Sequence, residues 1–122
     1  MALVLSPITH DGRGQLLNTN ADTIAQETAK AFSSLYDVEL IYSFEKNGVL
    51  LDVNDEASVI ATLQLDYYQE LKSKQLVFAG MIPKLDNAFE AINSGVKKVI
   101  IGKAEELHQL INGEKGTAII KQ

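Results

Sequence analysis

Two short runs gather the side chains of this sequence that could do chemistry, Asn18-Thr19-Asn20-Ala21-Asp22 and Gly80-Met81-Ile82-Pro83-Lys84. Each stands where a helix is expected to begin. A helix begins with unpaired backbone N–H groups and the positive end of its dipole, so both runs are placed to hold an anion. Lys84 falls in a first turn, where a cation opposes the dipole, and Pro83 fixes the backbone just before it. A cation set against that preference invites a functional reading, contact with a negatively charged group. The plain alternative is an amine in solvent or an ion pair with Asp86 or Asp22. Asp22 stabilises a first turn by about 0.3–1 kcal/mol with no further role, and Asn18 and Asn20 equally suit a turn and a helix cap.

Other chemistry finds no support. Gly12-Arg13-Gly14 lacks the third glycine of a dinucleotide fingerprint and sits in an expected hairpin, and no Gly-x-x-x-x-Gly-Lys-Ser/Thr run exists. His10 and His108 are isolated from carboxylates at ligand spacing, and no metal site is expected. There is no cysteine, so disulfides and thiolate ligands are excluded, and nothing resembles a nucleophile triad. The net charge is −5 and Arg13 is the single arginine. That weighs against a nucleic-acid partner, which needs clustered cations, but a small anion needs only a local positive field. The apolar runs are far shorter than the roughly 18 residues that cross a bilayer, and no basic stretch precedes an apolar one at the start. No membrane partner is therefore expected, and cytoplasm is the default location.

The elements that must position these residues follow from periodicity and turn signals. Ala2 to Ser6 reads as an apolar strand start. Pro7 to His10 and Gln15 to Asn18 read as a hairpin about the turn Asp11-Gly12-Arg13-Gly14. From Asn20 as cap, Ile24, Thr28, Ala31, Phe32 and Leu35 recur at helical spacing, with an end expected near Ser33 or Ser34. Val38 to Phe44 is β-rich, Asn47-Gly48 signals a turn, Val49 to Val53 reads as a return strand, and Asn54 to Ser58 as a polar connection. Leu65 to Lys74 suits a short helix with one ring of Tyr67-Tyr68 buried. Ile82 to Ile92 suits a longer one, stopped by Gly95. Val96 to Ile101 reads as a strand buried on both faces, Lys103 to Ile111 as a helix and Gly116 to Ile120 as a last strand. With 122 residues, one α/β domain over 1–122 is expected, large enough to bury about two thirds of its unfolded surface. Its mostly parallel sheet should carry helices on both faces and antiparallel hairpin additions.

The two runs, in this order and at roughly this separation, resemble the Asn-x-Asn-Ala-Asp and Gly-Met-x-x-Lys motifs of the amino acid kinases, and most closely the acetylglutamate kinases. From about Pro7 to Thr117 the chain can be laid along the second, nucleotide-binding half of that family. The glycine-rich, acyl-amino-acid-binding first half has no counterpart here. The resemblance implies an αβα sandwich and ATP-dependent phosphorylation of the side-chain carboxylate of N-acetylglutamate, a step of arginine biosynthesis, with the chain inactive alone. Magnesium is implied by the family and by ATP chemistry.

The resemblance also implies roles. Lys84 would contact the transferring phosphoryl group and stabilise the charge of its transition state. Asp22 would organise Lys84, Asn18 would hold the acyl-glutamate, and Asn20 would lie alongside as cap or polar lining. ATP or ADP would be held by Glu45, Lys46, Asn47, Gly48, Val49 and Leu50, and by Leu76, Val77 and Phe78 as an apolar wall. Many relatives carry Thr-Asp or Ser-Asp where this chain has Phe44-Glu45, so a polar contact is lost at Phe44 while Glu45 can still accept a ribose hydroxyl. Self-association, or pairing with the missing first half, is expected from an exposed sheet edge near Leu3 to Leu5. The alternatives are a non-catalytic nucleotide-binding or structural module, a truncated piece of a longer chain, and another amino acid kinase.

Overall fold

The computed structural model describes residues 2–121. The chain opens on a separate two-stranded antiparallel hairpin, β1 (Ile8–His10) and β2 (Leu16–Asn18), with Ile8 opposite Asn18. Asp11 closes its turn by accepting from the Arg13 and Gln15 amides. Helix α1 (Ala21–Phe32) follows and ends on Ser33, whose hydroxyl donates to the Lys30 carbonyl at 2.6 Å. Then come β3 (Glu39–Phe44), the two-residue β4 (Thr62–Leu63), α2 (Leu65–Ser73), α3 (Ile82–Asn93), β5 (Lys98–Lys103), α4 (Leu107–Ile111) and β6 (Thr117–Ile119). Short 3-10 turns at Ala79–Met81 and Ala104–Glu106 lead into α3 and α4.

The main sheet has the order β3-β5-β6-β4. β3 runs parallel to β5 and β4 parallel to β6, while β5 and β6 are antiparallel. The register sets Phe44 beside Lys103, so β3 and β5 end together.

Alternation along the strands decides which helix covers which face. Leu40, Tyr42, Val99 and Ile101 join the main core with Ala29 of α1 and Leu85, Ala88, Phe89 and Ile92 of α3. On the opposite face Leu110 of α4 closes on Gly102, where any Cβ would collide with it. Helices thus lie on both faces, as the sequence predicts. The Tyr68 ring, 1% exposed, stacks on Phe89 at 5.2 Å between centroids, which joins α2 to α3, and Tyr67 lies nearer the surface. Lys30 of α1 reaches Glu90 of α3 at 3.2 Å.

Two expectations need correction, and one strand escapes the sequence. Residues 2–6 form no strand, because they pair with none of the described strands. Leu3 and Leu5 instead line a groove with α1 residues such as Ile24, Ala25 and Phe32. The edges of the main sheet are β3 and β4. Residues 49–53 form no return strand either, since only Leu50 bridges Val59. Short polar side chains take over the backbone there: the Asn54 amide donates to Asp52 Oδ1 and the Ala57 amide to Asp55 Oδ1, both at 3.0 Å. Finally, β4 carries no local signal, because its partner β6 is far away in sequence.

Candidate active site

The side chains that could handle an anion meet where β3 ends. Both α1 and α3 run back along the strands they follow or precede, which carries their N-termini to the carboxyl end of β3, the usual place for a ligand in an open α/β sheet. The start of α1 is fixed by Asn20, whose Oδ1 accepts from the Asp22 amide at 2.8 Å. The start of α3 is fixed by Pro83 within its first two positions. Across this junction Lys84 Nζ donates to Asp22 Oδ2 at 2.5 Å. The lysine side chain is 14% exposed and the carboxylate 36%, so the ammonium is largely withdrawn from water and the anion faces it from the rim.

Beneath the pair lies an aromatic floor from β3. Tyr42 is buried, and its hydroxyl donates to the Asp22 carbonyl at 3.4 Å. Lys84 Nζ sits 4.9 Å from the Tyr42 ring centroid and 5.8 Å from that of Phe44, both within cation–π range. Burial, reinforced by the Asp22 charge, pushes the Tyr42 phenol up to about 12, so at neutral pH it is a neutral donor.

Phe44 also lines a cavity of about 350 Å³. Its walls include Glu45, Lys46, Gly48, Val49 and Leu50 from the loop after β3, and Leu76, Val77 and Phe78 from the segment before α3. Of the residues expected to hold a nucleotide, the fold brings all but one to this cavity. Asn47 turns away: its amide donates to the Glu56 carbonyl at 3.2 Å, and it borders a different cleft. The loop is anchored from β6. Buried Thr117 accepts from the Val49 amide at 2.8 Å, and a Cβ on Gly48 would stand 2.7 Å from that same hydroxyl. Only glycine fits so close an approach.

Asn18 stands exposed at the end of β2, two residues before the cap, and Asn20 uses its Oδ1 as the cap itself. Tyr42 and Thr117 escape sequence reasoning, because each reads as an ordinary strand residue. The cavity also takes in Leu51, Asp52, Val53, Gln75 and Met81. Met81 belongs to the Gly-Met-x-x-Lys run, which is a signal for it. Leu51 to Val53 carry no such signal. Among the described residues no group of three His, Asp or Glu side chains could cage a metal ion. Among the described residues no helix is long and apolar enough to cross a membrane.

Comparison with known proteins adds the context of this geometry. A family model described as the amino acid kinase family matches residues 2–103. The chain is 54% identical over 119 residues to an acetylglutamate kinase of Cytophaga hutchinsonii, covering 96% of this chain and 45% of that protein. It is also 54% identical over 105 residues to the acetylglutamate kinase of Bacteroides fragilis, covering 86% of this chain and 40% of that one. The fold is also that of the N-acetylglutamate synthase of Neisseria gonorrhoeae in complex with coenzyme A and L-arginine, with a TM-score of 0.74 at 23% identity, over 97% of this chain and 27% of that one. The chain therefore spans less than half the length of the curated relatives it matches.

Proposed function

The chain belongs to the amino acid kinase family, and from that premise we propose that it is the nucleotide-binding half of an acetylglutamate kinase. The observation that carries this reading is the convergence of the Lys84–Asp22 pair and the cavity on one side chain, Phe44, at the carboxyl end of β3. In the proposed reaction an oxygen of the N-acetylglutamate side-chain carboxylate attacks the γ-phosphorus of ATP. The bond from that phosphorus to the β,γ-bridging oxygen breaks, leaving ADP and an acyl phosphate. Such a transfer passes through a loose transition state whose charge spreads over the phosphoryl oxygens, so positioning and electrostatics do most of the work.

Lys84 supplies the positive charge and Asp22 holds it in place. The cavity takes the adenosine, with Leu76, Val77 and Phe78 against the base and Glu45 within the polar rim. Asn18 reaches the acyl-glutamate. Magnesium, which the family resemblance implies, is bound mainly by phosphates with one or two carboxylates, and no step here depends on where it sits. With donor and acceptor both to be aligned, the residues that relatives carry beyond this chain are required for turnover.

Titration calorimetry of the folded chain with ATP or ADP tests the reading. The expected result is weak but saturable binding that Phe78→Ala and Glu45→Ala each reduce. A folded chain that gives no nucleotide heat overturns the assignment.

A further inference from the structure

The Lys84–Asp22 pair follows from the two motif runs, but what lies under it does not. Lys84 begins a helix, where the dipole repels its charge, and its side chain is only 14% exposed. Among the described residues it has one anionic partner, Asp22. An ammonium so far withdrawn from water needs further compensation, and the remaining neighbours that can give it are the faces of Tyr42 at 4.9 Å and Phe44 at 5.8 Å.

We infer that Tyr42 and Phe44 form an aromatic seat that positions the Lys84 ammonium for the transferring phosphoryl group. The inference rests on the kinase reading above. Ring faces attract the cation without neutralising it, and they take none of its three N–H donors as a conventional acceptor would. One N–H goes to Asp22, and the others stay available to an incoming anion. Tyr42 ties the arrangement together. Its ring faces the lysine while its hydroxyl reaches the backbone of Asp22, so one buried side chain sets the height of both charges. Phe44 offers a second ring face, shared between the ammonium and the cavity wall. Tyr42 and Phe44 are positioning residues, since they act through Lys84.

Proton–carbon correlation spectra of the chain, with carbon-13 at lysine Cε, read the seat directly. The Lys84 signal, assigned by its loss in Lys84→Arg, should lie upfield of the solvent-exposed lysines through the ring currents. Tyr42→Phe keeps the ring and should keep that shift. Tyr42→Leu should move the signal toward the exposed group, and Phe44→Leu should do so by a smaller amount. Because Tyr42 is buried and its Leu variant can fail to fold, Phe44→Leu at a half-buried position decides the matter independently. A wild-type Lys84 signal that coincides with the exposed lysines, or a Phe44→Leu variant that leaves it in place, overturns the seat. These spectra are recorded without nucleotide, so their outcome is separate from that of the calorimetry.

Discussion

A lysine in the first turn of a helix works against the dipole, and the surroundings of Lys84 show what offsets the cost: one carboxylate at 2.5 Å and two ring faces. If that charge serves a phosphoryl transition state, its removal should be felt in turnover more than in binding. In an enzyme completed with the first half of a family member, Lys84→Ala should lower kcat by about 10² to 10³, the loss typical of one preorganised transition-state donor. Nucleotide affinity should change less. A steady-state assay with unchanged kcat would leave Lys84 as a structural partner of Asp22. Tyr42 makes a separate prediction. Burial raises its phenol from 10 to about 12, and Tyr68 is raised as well, by burial first and then by its hydrogen bond to Asp86. Between pH 10 and about 12 the unfolded chain has released protons that the folded one keeps, so stability is full below this window and falls as pH rises through it. Urea unfolding at pH 9 and pH 11 should give the lower midpoint at pH 11, and Tyr42→Phe should shrink the difference, with all pH values about the window set by the phenol shift.

At the scale of elements, the loop that lines the cavity depends on a strand far along the chain. The Val49 amide is satisfied by the Thr117 hydroxyl, and Gly48 passes within a Cβ's reach of it. Thr117→Val keeps the shape of the side chain and removes the acceptor, which strands a buried N–H at a cost of about 1–3 kcal/mol. We expect a lower urea midpoint together with weaker nucleotide binding, because the same contact holds Gly48, Val49 and Leu50 against the cavity. Weakened stability with an unchanged nucleotide Kd would separate the anchor from the site. The helix starts are simpler: Asn20→Ala removes the acceptor for the Asp22 amide and should cost about 1 kcal/mol, with Lys84 losing its fixed partner as α1 frays.

At the scale of the whole molecule, one side remains apolar. Leu3, Val4, Leu5, Phe32, Leu35 and Tyr36 are exposed, with Val4 at 97%, and the neighbouring β3 is an edge strand of the main sheet. Edge strands beside apolar surface invite further pairing. The chain on its own should therefore self-associate, and light scattering should show mass rising with concentration. The double change Leu5→Lys and Phe32→Lys should suppress that rise. A monomer at all concentrations in the unaltered chain would mean that the groove between Leu3, Leu5 and α1 is closed in solution.

By itself the sequence determined the order and type of most elements, because helix periodicity, caps and turn signals are local. Asn20 as cap, Pro83 at the opening of α3 and the buried run of β5 were all legible in this way. It also determined the two motif runs and their kinship. What only the tertiary structure decided were contacts between residues distant in the chain. The 62-residue separation of Asp22 and Lys84 closes to an ion pair, and Thr117 reaches back 68 residues to Val49. The same holds for failures. Residues 2–6 and 49–53 have strand-forming side chains, but no described strand lies beside 2–6, and 49–53 pair with 58–60 over a single bridge before side chains such as Asp52 and Ser58 take over the backbone. Asn47 turned from the cavity and Tyr42 turned under Lys84 for the same physical reason: a side chain's direction is fixed by the register of its strand or loop against neighbours that sequence spacing does not reveal.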